Sequence, residues 1–518
     1  MNNNVSTANR YKRMVYILGC SIMTVLPQMG KAQIFTDKNF VKINPTDTEA
    51  DIIRKAANVT PSARQLRWQQ LELTAFIHFG INTFTNKEWG DGSEDPKIFN
   101  PIDLDARQWV KVCKDAGFKL VILTAKHHDG FCLWPSKYTE HSLKNSPWKQ
   151  GKGDIVKETA EACKEFGIGF GIYLSPWDRN SSYFGSMQYN DYFINQLTEL
   201  LSNYGQIDEV WFDGANGEGP TGKKQVYEYQ LWYNLIRKLQ PKATIAVSGP
   251  DVRWVGTETG YGRETEWSVV PADQMVPEAI AANSQKDVEF APRDLMSNDL
   301  GSRAKITKAK SLVWYPAEID VSIRPGWFYH PTEDAKVKSP EKLMDIYYSS
   351  VGRNGVLLLN IPPDTRGLIS ESDISSLKGF RSHIDQTFAN NLLKGAMLKG
   401  SNEKKANVLY DRKVHTWLKT KPNESEVVME FKMDKVQTFD LLLLQENLEI
   451  GQRVEQFVFE YKNDGEWKKA TEGTTIGFKR LLRFPSVRAN EVRLRIISSR
   501  LNPAIAEIGL YQRTAGTK

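Results

Sequence analysis

Between about Leu71 and Pro363 the chain alternates short, almost wholly apolar runs with amphipathic segments of helical period. A strand buried on one face alternates apolar and polar residues. A strand buried on both faces reads as a continuous apolar run, and parallel sheets covered by helices are where such strands occur. Thr74–Phe79, Lys119–Thr124, Ile168–Leu174, Glu209–Phe212 and Thr244–Ser248 are runs of this kind, followed by Ser311–Tyr315 and Val356–Asn360. The intervening period predicts a helix over Arg107–Ala116, with Trp109, Val110 and Cys113 on one face. Another starts at the N-cap Asp154, runs through Glu165 and stops at Gly167. Further helices are expected over Tyr192–Tyr204, Tyr227–Leu239 and Glu341–Val351. Repeated β-α units over roughly 330 residues fit an α/β fold of the (β/α)8, TIM-like barrel type better than an open doubly wound sheet. No G-x-G-x-x-G follows the first strand, which speaks against a dinucleotide-binding fold.

A helix over Asp373–Asn391 closes this region. Beyond about Lys394 the texture changes to short β-type runs at Val427–Lys432, Asp440–Gln445, Gln456–Lys462, Leu481–Phe484 and Val492–Ile497. Asn463-Asp464-Gly465 reads as a hairpin turn. Short strands separated by turns, with little helix between them, predict an all-β sandwich of roughly 120 residues. The expected division is a leader over 1–32, a barrel over 33–392 and a sandwich over 393–518.

Arg10, Lys12 and Arg13 precede an apolar run from Met14 to Leu26, and Gly30 and Ala32 follow it. A basic start, an apolar stretch short of the ~20 residues of a membrane span, and small residues at the cut describe a signal peptide removed after Ala32. The expectation is an exported, periplasmic protein. A lipid anchor on Cys20, in Ile17-Leu18-Gly19-Cys20, and secretion are the alternatives, and a buried N-terminal helix is the purely structural one. No later segment reads as an integral membrane span. The net charge of +6 includes four basic residues of the leader, so the remainder is close to neutral and no nucleic-acid partner is inferred. Cleavage leaves Cys113, Cys132 and Cys163, an odd number at wide spacing, hence no disulfide framework and no C-x-x-C metal site. Cys113 and Cys163 fall on apolar helix faces and are expected in the core.

Function in a parallel barrel sits where strands end and βα loops begin. The first strand ends in Phe76-Ile77-His78-Phe79-Gly80, with Glu88-Trp89 soon after. The second ends in Lys126-His127-His128-Asp129-Gly130, followed by Phe131 and Trp134. The third ends in Tyr173, before Trp177-Asp178-Arg179, and the fourth in Trp211-Phe212-Asp213-Gly214. The fifth leads through Gly249-Pro250-Asp251 to Arg253-Trp254-Val255-Gly256-Thr257-Glu258. Three of the seven His in the chain thus fall at the ends of the first two strands. Imidazoles and carboxylates hydrogen-bond sugar hydroxyls, and flat aromatics cover the apolar C–H face. Two carboxylates flanking a glycosidic bond do nucleophilic and acid/base work. Other roles stay open on pattern alone. Asp213 also suits a helix cap. Glu258 also suits a solvated loop acid, with Glu264 and Glu266 competing for its role. Trp89, Trp134, Trp211 and Trp327 also suit the core. Adjacent His127 and His128 on a strand end project to different sides, and the H-x-H and H-E-x-x-H spacings are absent, so no metal centre is inferred. The residues lead to a secreted barrel hydrolase of carbohydrate, with Asp213 a candidate nucleophile.

Several unlinked strings then agree in order with one family. FIHFGINTFTNKEWGDGSEDPKIFNP, LVILTAKHHDGFCLWPSKYTEHS, GIGFGIYLSPWDR, IDEVWFDGANG, GPDVRWVGTETG, WYPAEIDVSIRPGWFYH and VLLLNIPP resemble the α-L-fucosidases of glycoside hydrolase family 29, from about Phe76 to Pro363. The resemblance implies a retaining exo-hydrolase of terminal α-L-fucose with no metal or organic cofactor. It implies Asp213 of W-F-D-G as the nucleophile. His78, Glu88, Trp89, His127 and His128 would bind fucose, with Tyr173 and Trp211 beside them and Trp327 of GWFYH against the apolar side of the sugar. GPDVRWVGTETG resembles the branched-substrate subfamily, which implies Glu258 as acid/base and α-1,3/1,4-linked fucose of Lewis-type glycans, free or on glycoprotein, as substrate. The end of the chain, Ala506-Glu507-Ile508-Gly509-Leu510-Tyr511, resembles a discoidin-like, galactose-binding-like module, which would either bind glycan or buttress the barrel. A broad-specificity fucosidase and a carbohydrate-binding protein on an inactive barrel are the alternatives. Oligomeric state is not legible.

Overall fold

Alternation along each barrel strand decides which side chains reach the interior. The computed structural model describes residues 38–272, 299–399, 406–421 and 424–514. The expected leader and Cys20 lie outside them. Eight parallel strands run in chain order: Leu73–Ile77, Leu120–Lys126, Gly169–Leu174, Glu209–Phe212, Thr244–Val247, Arg253–Trp254, Ala317–Ser322 and Val356–Asn360. They pair in the order fifth, fourth, third, second, first, eighth, seventh, sixth, so the sheet wraps into a nearly closed barrel whose seam lies between the fifth and sixth strands. The inner row holds Phe76, Ile122, Tyr173, Trp211 and Leu358, which share one buried cluster. The outer row holds Ala75, Ile77, Val121, Leu123, Ile172, Val210 and Leu359, packed under the surrounding helices. These residues are apolar because both faces of the sheet are covered.

The helices form where the caps are. Asp154 accepts from Lys157 N ahead of Ile155–Phe166, and Gly167 ends it with φ +66°. Asp105 caps Ala106–Asp115, whose Trp109, Val110 and Cys113 are buried as their spacing predicts. Gln188–Asn203, Tyr229–Leu239, Pro340–Ser349 and Glu371–Thr387 complete the ring. Cys113, Cys132 and Cys163 are free and buried. No described helix is long and apolar enough to cross a membrane.

Two β-α units depart from the eightfold pattern. Only five residues, 248–252, join the fifth strand to the sixth. The excursion from the sixth to the seventh carries Val269–Pro271 and Ser311–Trp314, which pair antiparallel with each other, and Phe40–Lys42 pairs with the latter. The expected barrel strand at Ser311–Tyr315 is therefore corrected: it is a strand of this small sheet. The seventh barrel strand is Ala317–Ser322, which pairs with the eighth. The apolar run SLVW drew the assignment, whereas AEIDVS carries two acids on its inward face.

The C-terminal part is antiparallel. The runs expected as separate strands at Val427–Lys432 and Asp440–Gln445 belong to one 20-residue strand, Val427–Glu446, with register shifts between Lys432 and Gln437 and between Phe439 and Leu441. Its partner Arg480–Ser499 likewise joins two expected strands. The first half of Val427–Glu446 pairs with Met397–Leu398 and the second with Ile505–Tyr511. Met429 and Phe431 from one half and Leu442 and Leu444 from the other bury into the same cluster, so the bent strands serve both layers of a sandwich. Asp464 and Gly465, with φ +53° and +84°, make the predicted two-residue turn between Val454–Asn463 and Glu466–Gly473. The sandwich is fastened to the barrel. Leu441, Leu443, Leu481 and Tyr511 join the barrel's outer core, and Lys479 pairs with Glu72 at 2.6 Å.

Candidate active site

The period of two carries each inner row onward to the barrel mouth. Phe76 points inward, and so does His78. Trp211 points inward, and so does Asp213 at the end of the fourth strand. Tyr173, on the neighbouring third strand, donates its phenolic hydrogen to Asp213 Oδ2 at 3.1 Å. Ala215 N donates to the other oxygen at 2.7 Å. The Asp213 side chain keeps 22% exposure, so a reacting atom has access to it. Trp211 stacks beneath Tyr173, with ring centres 5.2 Å apart and planes at 22°.

His127 and His128 do not part, as adjacent strand residues were expected to. A register shift between Thr124 and Lys126, and a turn in which Gly130 N donates to His127 O, bring their rings to 4.1 Å, both at the mouth. His78 lies 5.8 Å from His127 ring to ring. Burial lowers the pKa of all three, to about 3 for His78, so they are neutral imidazoles at neutral pH. Hydrogen bonding fixes two tautomers. Asn360 donates its amide to Ser322 Oγ and Trp327 O, so its oxygen faces His78 Nδ1 at 2.8 Å and that nitrogen carries the proton. Ser175 Oγ donates to Trp177 O and accepts from His128 Nδ1 at 2.7 Å. The Nε2 atoms of His78 and His128 are left as acceptors, the latter 3.8 Å from Asp213 Oδ2. That is a pair of sites for hydroxyl donors. Among the described residues no group of three or more His, Cys, Asp or Glu is arranged to hold a metal.

The far wall is built by Glu88 and the loop after the seventh strand. Glu88 accepts from Trp327 N at 2.7 Å, Phe328 N at 3.2 Å and His330 Nε2 at 2.5 Å. It therefore holds the backbone that presents Trp327, whose ring stands 5.2 Å from that of His78. Trp89 is 48% exposed at the rim, edge-on to His128 and Trp177. Its loop is pinned from the third-strand side. Arg179 and Asn180 donate to Gly90 O and Gly92 O, and Gly92, with φ +87°, lies so close to the Arg179 backbone that a Cβ has no room.

The three glutamates of the sixth-strand loop separate. Glu258 sits at the mouth and accepts from Trp327 Nε1 at 3.2 Å. Its side chain is exposed at the rim, although protein crowds around the carboxyl. That partial burial raises its proton affinity; the Trp327 bond opposes the rise, and the charges of Asp213 and Glu88 add to it. Glu264 is taken by Arg353 and Arg480 at the sandwich, and Glu266 is buried between Arg253 and Arg263. The structure thus brings His78, Glu88, Trp89, His127, His128, Tyr173, Asp213, Glu258 and Trp327 to one end of the barrel, with Trp211 buried directly beneath Tyr173. Asn360 and Ser175, which orient two of the histidines, were missed. Asn360 ends the apolar run VLLLN, so its strand-end position was the available signal.

A family profile described as alpha-L-fucosidase matches residues 54–387. The curated relative Alpha-L-fucosidase 1 of Arabidopsis thaliana is 43% identical over 465 residues, 87% of each chain. A crystal structure of a glycoside hydrolase 29 family member from an unknown rumen bacterium shares 41% identity and a TM-score of 0.74, covering 88% of this chain and 78% of that one. A Ruminococcus gnavus GH29 fucosidase solved in complex with fucose shares 32% identity and a TM-score of 0.77, covering 89% and 96%. The barrel, its mouth of neutral imidazoles, carboxylates and indoles, and these matches agree: the chain belongs to the α-L-fucosidase family of glycoside hydrolases.

Proposed function

We propose that the chain is an exported, retaining exo-α-L-fucosidase that removes α-1,3/1,4-linked fucose from Lewis-type glycans, with Asp213 as nucleophile and Glu258 as acid/base. The observation that carries the pair is their contrast. Asp213 is held and aimed by two donors, Tyr173 and Ala215 N, while Glu258 has its proton affinity raised by the protein around it and by the charge of Asp213 itself. Of the competing glutamates, both are committed to arginines elsewhere.

In the first step an Asp213 oxygen attacks the anomeric carbon. The glycosidic C–O bond breaks, and the Glu258 proton goes to the leaving sugar oxygen. Once the negative charge of Asp213 is consumed in the ester, Glu258 loses a reason to hold a proton and serves as base. It takes a proton from water, the hydroxide adds to the anomeric carbon, and the ester breaks with net retention. His78 and His128 accept from fucose hydroxyls, and Trp327 covers the apolar face. The fixed rim with Trp89 supports a second sugar, and WGDGSEDP and VRWVG support a branched one. The basic start and apolar run before Ala32 support export.

The test is fucose release from a Lewis-type trisaccharide, a 2′-fucosylated lactose and an aryl α-L-fucoside. Fast release from the trisaccharide alone is expected, and equal release from all three would replace the branched-substrate reading with a broad one. Azide should restore turnover to Asp213→Gly and Glu258→Ala with opposite anomeric products. A product of inverted configuration from the unmodified enzyme would end the double-displacement scheme.

A further inference from the structure

The inward face of the seventh barrel strand is polar where its neighbours are apolar. Glu318, Asp320 and Ser322 follow one another on it at the strand period, all buried. Carboxyls in a barrel core are costly unless they are hydrogen-bonded. Glu318 Oε1 accepts from Trp211 Nε1 at 2.6 Å, and Asp320 Oδ1 from Trp254 Nε1 at 2.8 Å. Ser322 Oγ accepts from Asn360, the partner of His78, at 2.9 Å. Each bond ends on a side chain that stands directly behind the site.

Two of these lines lead to the carboxylates. Trp211 lies two residues before Asp213 and stacks beneath Tyr173, which holds Asp213 at 3.1 Å. Trp254 opens the loop that carries Glu258. That loop is clamped on the same strand at both ends: Val255 N donates to Glu318 O at 2.9 Å and Gly260 N to Asp320 O at 3.2 Å. Burial, and then the charge of Glu258, raise the proton affinity of Asp320.

We propose that Glu318 and Asp320 are positioning residues, Glu318 for Asp213 by way of Trp211 and Tyr173, and Asp320 for Glu258 by way of Trp254 and its loop. The proposal rests on Asp213 as nucleophile and Glu258 as acid/base. It gives the two acids different kinetic signatures. Fluoride leaves without protonation, so cleavage of α-L-fucosyl fluoride depends on the nucleophile alone, whereas a trisaccharide also needs the acid.

The experiment compares kcat/KM on these two substrates. Displacement by an ångström costs up to about a hundredfold, so Asp320→Ala is expected to lose about tenfold or more on the trisaccharide and less than about threefold on the fluoride. Asp320→Asn, which keeps an acceptor for Trp254, restores the rate. Glu318→Ala loses about equally on both substrates, and Glu318→Gln restores both. Alanine variants that match the unmodified enzyme on both substrates, an equal loss in Asp320→Ala, or no rescue by Asn would overturn the proposal. If Asp320→Ala fails to fold, Trp254→Phe takes its place, with the same selective loss expected and an equal loss or none counting against it. Glu258→Gln is the control. A selective loss there with none in Asp320→Ala sinks the positioning role, while an equal loss in Glu258→Gln itself sinks the acid/base assignment and the Asp320 arm with it.

Discussion

Tyr173 donates to Asp213 Oδ2 at 3.1 Å from the strand hydrogen-bonded to the one that carries the carboxylate. Burial, and then the charge of Asp213, push the phenol well above its ordinary value, so it is a donor at every working pH. A hydrogen bond to an ionised group contributes about 1.5–3 kcal/mol, and much of that here is orientation. Tyr173→Phe is expected to lower kcat/KM by roughly ten- to a hundredfold. The melting temperature should change little, because the ring still stacks on Trp211. Kinetics and a thermal melt on the same preparation check both halves.

Trp327 acts on Glu258 in a direction opposite to the rest of the site. Its indole bond lowers the proton affinity that burial, Asp213 and Glu88 raise. Removing the donor in Trp327→Phe therefore lets the pKa of Glu258 climb. The protonated form is the working acid in the first step, so the alkaline limb of kcat/KM should move to higher pH even as the maximum falls. A limb that stays in place, or moves down, would show that Glu258 is not the group titrating there.

The barrel was legible in the sequence where both strand faces are apolar. Glu209–Phe212 and Val356–Asn360 have the bounds their composition predicts. The seventh strand was not legible, because AEIDVS hides a core strand behind two acids whose partners, Trp211 and Trp254, lie 107 and 66 residues away. A separation of 282 residues likewise hid Asn360 from His78. His127 and His128 were legible as site residues but not as neighbours, since their contact needs the bulge before Lys126. The 20-residue sandwich strands read as pairs of short ones because each breaks its alternation where it bends.

Three glutamates within nine residues of chain should give three different phenotypes. Glu258→Gln removes the acid and is expected to cost about 10²–10⁴ in turnover on a glycan, with the fold intact. Glu264 is 69% exposed, and exposed ion pairs contribute roughly 0–1 kcal/mol, so Glu264→Gln should leave activity within about twofold and stability nearly unchanged. Glu266 is buried between Arg253 and Arg263, which hold its pKa down although burial pushes it up. Breaking such a pair typically costs about 3–5 kcal/mol, so Glu266→Gln should melt far lower while any folded fraction keeps its activity. Rates normalised to folded protein separate the three. A catalytic defect in Glu264→Gln would reassign the acid/base.

Glu209 and Glu318 meet inside the barrel, Glu209 also accepting from Trp68 Nε1 at 3.0 Å. Two carboxyls in hydrogen-bond contact need a shared proton, and burial pushes Glu209 up to about 8, while Glu318 is raised by burial and by the charge of Glu209. An unfolded Glu titrates near ~4.3. A group whose affinity is raised on folding gives its full stabilisation below the unfolded value and loses it as pH rises through the folded one. The native state should therefore lose stability as pH rises from about 4.3 through about 8, where Glu209 titrates, and further as Glu318 follows. Glu209→Gln keeps an acceptor for Trp68 and supplies a permanent donor to Glu318, so it removes the proton requirement without opening a cavity. Its melting temperature relative to the unmodified protein should rise as the medium goes from acid to alkaline. Parallel melting curves would mean that the pair holds no titrating proton, and that Trp211 is then fixed by an acceptor of constant charge.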